Sequence, residues 1–223
     1  ITDLGGVKCW GLNDAGALGV GSLAEHTVPV DVSGLSSGVA ALALGGQHTC
    51  ALMEAGGAMC WGNNSYGVLG DGTSQDRTVP TSVVGLALDP VAIAAGGSHT
   101  CVLDADFAAQ CWGTGGNGRL GDGTSTVFTE PVGVTNLATG VATVTAGKAY
   151  TCATTQTGAA RCWGDGADGQ LGDGAQDQRS HPVDIVGLTD SAVSVGTGGG
   201  HTCALTDTGG VKCWGLNNDG QLG

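Results

Sequence analysis

The sequence predicts an all-β repeat protein, and three observations support this prediction. The tripeptide Cys-Trp-Gly begins at Cys9, Cys60, Cys111, Cys162 and Cys213, at a constant period of 51 residues. A fixed period of this size is typical of solenoids and propellers. Glycine accounts for 44 of 223 residues and interrupts every apolar run, and no segment sustains the helical period near 3.6.

Each unit is predicted to contain four short strands. In the unit that covers residues 39–89, the apolar run 39–44 predicts the first strand. Residues 49–53 and 58–62 flank Ala-Gly-Gly and predict a hairpin, and residues 79–84 predict a fourth strand after a loop that ends near a proline.

The hairpin register predicts a disulfide in each unit. A second cysteine precedes four of the Cys-Trp-Gly tripeptides by ten residues, and folding the chain about Ala55 places Cys50 opposite Cys60. Directly opposed residues on antiparallel strands lie about 4.5–5.5 Å apart, within disulfide reach. The predicted pairs are Cys50–Cys60, Cys101–Cys111, Cys152–Cys162 and Cys203–Cys213, and Cys9 has no partner in this chain.

These repeats resemble a known family. The pattern G-G-x-H-T-C-A-L, then G-x-x-C-W-G-x-N-x-x-G-x-L-G-x-G, then a loop ending in Pro is similar to the regulator of chromosome condensation (RCC1) repeat, and it is visible in residues 45–52, 60–72 and 79–80. The resemblance covers the whole chain and implies a β-propeller, commonly with about seven four-stranded blades. The cysteine-bearing hairpins look more like bacterial exported versions.

Residues 1–223 are expected to form a single repeat domain of four full repeats plus a partial one. Residues 5–19 nearly duplicate residues 209–223, so both ends supply the same part of a unit. We therefore expect an excerpt of a longer chain and a larger ring, although an open or self-associating array remains an alternative. The predicted units are 1–38 (partial), 39–89, 90–140, 141–191 and 192–223 (partial).

Charge and cysteine content limit the classes of partner. The net charge is −13, with 20 acidic and 7 scattered basic residues, which opposes binding to a phosphate backbone.

Nine cysteines in a regular pattern favour an oxidising compartment, and thus an exported bacterial protein in the extracellular space or on the cell surface. No membrane span is visible in the sequence.

No catalytic residue, cofactor or metal site is predicted. The histidines before Thr-Cys at positions 48, 99 and 201 are interrupted by Tyr150, so structural hydrogen bonds are a better explanation than a metal-binding ring. The Asp-Gly turns that begin at Asp71, Asp122 and Asp173 supply one carboxylate each, which turn chemistry explains, although calcium binding stays open.

The segments between the Asp-Gly turns and the prolines differ in charge and shape among the units, and they are the predicted partner-binding loops. Equivalent loops of a propeller collect on one face, where side-chain variety creates a binding surface; drift in unconstrained loops is the alternative. The candidate residues are Glu25, His26, Gln75, Asp76, Arg77, Val127, Phe128, Asp177, Gln178 and Arg179.

These observations predict a non-catalytic extracellular module that binds a protein partner through its loops. The alternatives are a structural subunit of an extracellular fibre or surface assembly, and a non-catalytic part of a larger secreted enzyme. A fibre former should sediment as large, heterogeneous assemblies, whereas a binding module should sediment as a monomer.

Overall fold

The computed structural model describes residues 1–223 and contains five antiparallel sheets in chain order. The first sheet has two strands, the second, third and fourth have four each, and the fifth has three. The all-β repeat prediction is confirmed. The sheets form an open array and do not close into a ring, so the number of blades in a complete ring stays a prediction.

Each four-stranded sheet is a meander in which neighbours in sequence are neighbours in space. The strands of the second sheet are β3 (Val39–Leu44), β4 (His48–Met53), β5 (Ala58–Gly62) and β6 (Arg77–Ser82). We call them the inner, second, third and outer strands, because the inner strands of successive sheets contact one another.

The third and fourth sheets repeat this order, and the incomplete sheets contain parts of it. The remaining strands are β1 (Lys8–Gly11), β2 (His26–Asp31), β7 (Pro90–Ala95), β8 (His99–Asp104), β9 (Ala109–Gly113), β10 (Phe128–Gly133), β11 (Val141–Ala146), β12 (Tyr150–Thr155), β13 (Ala160–Gly164), β14 (Arg179–Asp184), β15 (Ala192–Thr197), β16 (His201–Thr206) and β17 (Val211–Gly215).

The predicted hairpin register is confirmed. In the second sheet Cys50 pairs with Cys60, and the neighbouring pair joins Leu52 to Ala58. All four disulfides are present, each with 4.1 Å between its Cα atoms. Cys9 is free, and burial raises the pKa of its thiol.

The predicted bounds of the outer strand were wrong by two residues. The strand covers Arg77–Ser82 instead of residues 79–84, because Gly62 pairs with Arg77 while Cys60 pairs with Thr81. This register shift is a β-bulge at Gly62, whose φ of +106° suits glycine. A bulge leaves no periodic signal in the sequence.

The hydrophobic core lies between neighbouring sheets. The tryptophans at positions 61, 112 and 163 are fully buried. The largest cluster joins the third and fourth sheets through Trp163, Leu120 and Val141, together with the Cys101 and Cys111 half-cystines. The repeats of the sequence therefore build a continuous core, in which each sheet is covered by the next.

Every outer strand carries a proline at its fourth position. These residues are Pro29, Pro80, Pro131 and Pro182, which are four of the five prolines in the chain. Proline has no N–H to donate to an added strand, and it is one of the devices by which proteins protect exposed sheet edges. The outer rim of the array is therefore poorly suited to edge-to-edge pairing.

No helix in the structure has the length and apolar character needed to span a membrane. The single helical segment is the 3-10 turn Gly116–Gly118.

Candidate functional site

The long loops between third and outer strands all lie at one end of the sheets. They cover residues 12–25, 63–76, 114–127 and 165–178, and residues 216–223 begin another. In an antiparallel meander the turn between the inner and second strands lies at the same end. A backbone hydrogen bond from the Asn63 N–H to the Gln47 carbonyl joins the two elements. We call this end the loop face and the opposite end the hairpin face.

The first half of the first, second and fourth long loops is fixed to the next sheet by a shared backbone carbonyl. The Val68 carbonyl accepts hydrogen bonds from the Thr100 hydroxyl at 2.8 Å and from the Trp112 indole N–H at 2.7 Å. The Ala17 and Gln170 carbonyls accept the same two bonds from the threonine and tryptophan that follow them. The tryptophans at positions 61, 112 and 214 are thus packing elements between sheets.

The third long loop differs from the others. The Arg119 carbonyl accepts a bond from Thr151 at 2.8 Å, but the Trp163 indole N–H is buried without a partner. This loop contains the 3-10 turn Gly116–Gly118, with Asn117 in the left-handed region at a φ of +61°.

The glycine of the repeated Leu-Gly dipeptide permits the tryptophan to pack closely. Gly70 has a φ of +69°, and a Cβ atom there would lie 2.7 Å from the Trp112 Nε1 atom. Both its backbone conformation and this close approach exclude a larger residue. The same contact recurs at Gly19, Gly121 and Gly172 with the tryptophans that follow them.

Two of the three histidines before Thr-Cys, His48 and His99, form structural hydrogen bonds between sheets. His48 Nε2 lies 2.9 Å from the Thr100 hydroxyl, and His99 Nε2 lies 2.8 Å from that of Thr151. Because the threonine hydroxyl donates its own proton to a carbonyl, the histidine is the donor. Burial lowers the pKa of His48 to about 4 and that of His99 to about 3, with the Arg119 charge contributing to the second shift.

Tyr150 performs the same role with a different side chain. Its hydroxyl donates to the His201 carbonyl and lies 3.0 Å from the Thr202 hydroxyl. The substitution that interrupts the histidine series thus preserves a contact with the threonine of the next sheet. This geometry supports the prediction of a structural role for the position.

Two of the Asp-Gly turns are closed by an arginine from the end of the same loop. Arg77 bonds the Asp71 carboxylate at 2.7 Å, and Arg179 bonds that of Asp173 at 2.6 Å. Burial would raise the pKa of both carboxyl groups, but hydrogen bonds from Thr73 and Arg77, and from Arg179, outweigh it and lower both pKa values. In the first loop Val20 and His26 replace both members of this pair, and in the third loop Phe128 replaces the arginine.

The arginine pairs also bear on the calcium alternative. The Arg77 and Arg179 guanidinium groups donate hydrogen bonds to the carboxylates of Asp71 and Asp173. The Asp122 carboxylate accepts a hydrogen bond from the Thr124 hydroxyl at 2.7 Å. No group of three or more His, Cys, Asp or Glu side chains converges in the structure. Turn geometry accounts for these aspartates, together with an internal ion pair at Asp71 and Asp173.

The predicted partner-binding residues all lie on the long loops or at the first residue of an outer strand, but they differ in availability. Phe128 packs against the core between the third and fourth sheets, and Arg77 and Arg179 are bound within their loops. His26 is half-buried at the start of β2. The exposed candidates are Glu25, Gln75, Asp76, Val127, Asp177 and Gln178. Their role in binding stays a prediction.

A polar cleft on the loop face was not predicted from the sequence. It lies between the fourth and fifth sheets and is lined by Lys148, Asp165, Asp168 and Gln170. The signal was present at Lys148, which replaces the glycine found at positions 46, 97 and 199 of the equivalent turns. Its partners come from other segments, so spacing alone could not connect them.

The regulator of chromosome condensation (RCC1) repeat model matches residues 5–52, 56–103 and 158–205. A second model of the same repeat matches residues 39–68, 141–170 and 192–221.

Similar proteins include the human E3 ubiquitin-protein ligase HERC2, with 33% identity over 100% of the chain and 5% of that protein. The ultraviolet-B receptor UVR8 of Arabidopsis thaliana is 33% identical over 97% of the chain and 50% of that protein. The RUG3 protein of Arabidopsis thaliana, described as mitochondrial, is 32% identical and matches 100% of the chain and 52% of its own length. The chain thus spans about half or less of these relatives.

Two solved structures share the fold. Human WBSCR16 superposes with a TM-score of 0.83 and 26% identity, over 92% of this chain and 54% of that one. Prp20p from Saccharomyces cerevisiae, a protein described by its binding to Gsp1p and histones, superposes with a TM-score of 0.87 and 25% identity, over 100% of this chain and 56% of that one.

Proposed function

The chain belongs to the RCC1 repeat family, and from this membership we propose that it is a non-catalytic module that binds a protein partner through its loop face. The observation that carries the proposal is the division of each long loop. The first half is fixed by the shared carbonyl, whereas the second half differs among units and is exposed at Gln75, Val127 and Gln178. A rigid base with variable tips is a common arrangement for recognition.

The absence of catalysis is part of the proposal. The buried histidines at positions 48 and 99 are engaged in hydrogen bonds between sheets, and the aspartates at positions 71 and 173 are bound by arginine. The histidines connect neighbouring sheets and the aspartates close their own loops, and these groups are not arranged as a nucleophile with a base. The ligase activity named for HERC2 belongs to a protein of which this chain matches 5%.

We also propose an oxidising, exported setting for the protein, at the cell surface or outside the cell. Four disulfides, three of them fully buried, support this proposal, since such bonds persist mainly in oxidising compartments. The bacterial part of the proposal rests on the resemblance of the cysteine-bearing hairpins alone.

Retention of a partner by loop variants tests the proposal. The immobilised protein is incubated with the extracellular fraction of its source cells, and bound proteins are compared with those retained by a Gln75→Ala/Val127→Ala/Gln178→Ala variant. A matched control carries Gln156→Ala on the hairpin face, where the side chain is also exposed. We expect at least a tenfold loss for the loop variant only. Equal retention by all three proteins would contradict the loop-face proposal.

Sedimentation distinguishes the fibre alternative. The prolines of the outer strands oppose assembly along the rim, so we expect a single small species in analytical ultracentrifugation at micromolar protein. Large, heterogeneous assemblies of the native protein would favour the fibre.

A further inference from the structure

The cleft between the fourth and fifth sheets has the features of a site for a small cationic group. Its volume is about 460 Å³, and it opens on the loop face. Six polar side chains contribute to its lining, and they are Lys148, Asp165, Asp168, Gln170, His201 and Gln221.

Gln170 supplies an unsatisfied donor to this cleft. The residue is only 1% exposed, and its Oε1 atom accepts a hydrogen bond from the Asp168 backbone N–H at 2.8 Å. This bond fixes the orientation of the amide, so that its NH2 group is directed away from Asp168 N–H and makes no hydrogen bond within the protein. The Nε2 atom is not among the fully buried side-chain atoms that lack a partner, so it reaches the cleft surface, where it can donate to an acceptor oxygen of a ligand.

The two aspartates supply acceptors next to this donor. Neither Asp165 nor Asp168 is joined to any of the five ion pairs of the chain, and Asp168 is exposed. Lys148 is the one cationic side chain in the lining. With a net charge of −13 on the chain, the surroundings favour a cation over an anion, and Arg119 offsets part of the Asp165 charge.

A donor and two carboxylates together match an arginine within a peptide. A guanidinium group has five N–H donors in a planar fork that suits carboxylates, whereas a lysine ammonium is a point charge. A main-chain carbonyl next to that arginine supplies an oxygen for the glutamine NH2 group.

We propose that this cleft binds an arginine side chain of the protein partner, with its guanidinium against Asp165 and Asp168 and an adjacent carbonyl accepting from Gln170. This inference rests on the proposed function and specifies the chemistry of the partner. It predicts a positively charged, extended segment at the contact.

A short peptide titrated into the full chain with intact disulfides tests the inference. The probe is acetyl-Gly-Arg-Gly-amide, and the control peptide has citrulline, an uncharged isostere, in place of arginine. Nuclear magnetic resonance of the ¹⁵N-labelled protein should show saturable shifts of the Gln170 side-chain amide and the Asp168 backbone N–H. We expect at least tenfold weaker binding of the citrulline peptide.

Charge-removing variants locate the binding. Asp165→Asn and Asp168→Asn should each weaken binding of the arginine peptide at least tenfold, whereas Asp14→Asn, an exposed loop-face aspartate outside the cleft, should change it less than twofold. The inference is overturned by an absence of saturable shifts at tens of millimolar peptide, by equal binding of citrulline, or by equal effects of all three variants.

The outcome is separable from that of the retention experiment. Loop-dependent retention of a partner without arginine binding would leave the proposed function intact and remove the cleft assignment. Arginine binding without any retained partner would contradict the proposed function and leave a peptide-binding cleft without its protein.

Discussion

Replacing Thr100 with valine tests the hydrogen-bonded connection between the second and third sheets. The fully buried hydroxyl accepts from His48 Nε2 at 2.9 Å and donates to the Val68 carbonyl at 2.8 Å. Valine has nearly the same shape, so the change removes polar contacts with little loss of packing. The Val68 carbonyl keeps its bond from Trp112, but the His48 N–H loses its partner.

The chain contains a matched control for this change. Thr49 is buried and donates to the Ala17 carbonyl, which also keeps a tryptophan partner, but no histidine donates to the Thr49 hydroxyl. Thr49→Val therefore removes one hydrogen bond, with a net cost of about 0.5–1.5 kcal/mol. Thr100→Val adds an unsatisfied buried donor, which costs about 1–3 kcal/mol more.

Urea unfolding at pH 7, followed by tryptophan fluorescence with the disulfides intact, measures both costs. In a His48→Phe background the additional cost of Thr100→Val should disappear, because no donor is then left without a partner. Equal destabilisation by Thr49→Val and Thr100→Val in the unaltered background would refute the assignment of the His48–Thr100 bond.

Three further predictions concern the buried histidines, the disulfides and the Asp71–Arg77 ion pair. The pKa values of His48 and His99, about 4 and about 3, lie below the value in the unfolded chain, so the free energy of unfolding should fall as the pH falls from about 6.5 towards those values. The expected loss is about 1.4 kcal/mol per pH unit for each histidine. A free energy of unfolding that does not change over this pH range would contradict the prediction. Mass mapping without reduction should link only cysteines ten residues apart, and links between units would show that the hairpin register is wrong. Replacing Cys101 and Cys111 by serine should lower the free energy of unfolding by about 2–3 kcal/mol, measured by thermal unfolding. Arg77→Met should raise the pKa of the Asp71 carboxyl and increase the mobility of residues 71–76 in ¹⁵N relaxation, whereas unchanged relaxation would show that the ion pair does not hold this loop.

The repeat and its disulfides could be predicted because they depend on local spacing. Cysteines ten residues apart, on either side of a glycine turn, define one hairpin register, and Cys50 and Cys60 pair in that register. The start of the outer strand could not be read in the same way. It depends on the bulge at Gly62, where the third strand changes its pairing with Arg77.

The interactions between units were less accessible from the sequence. Thr100 reads as an ordinary strand residue, yet its hydroxyl joins His48 of one sheet to the Val68 carbonyl of a loop. The cleft was missed for a related reason, since Lys148 and Asp168 become neighbours only when successive sheets pack. Sequence spacing does not show which loops will line the same cleft.

The shared carbonyl of each long loop has a consequence for how such a chain can evolve. The Val68 carbonyl accepts from the Trp112 indole and Gly70 packs against it, whereas residues 73–76 are hydrogen-bonded to Asn64 and Asp71 of their own loop. Mutations in the second half can therefore accumulate without loosening the array, and a duplicated unit inherits a stable base with a tip free to acquire a new specificity. The first half of each loop thus maintains the fold, and the adjacent second half is the stretch in which sequences can diverge.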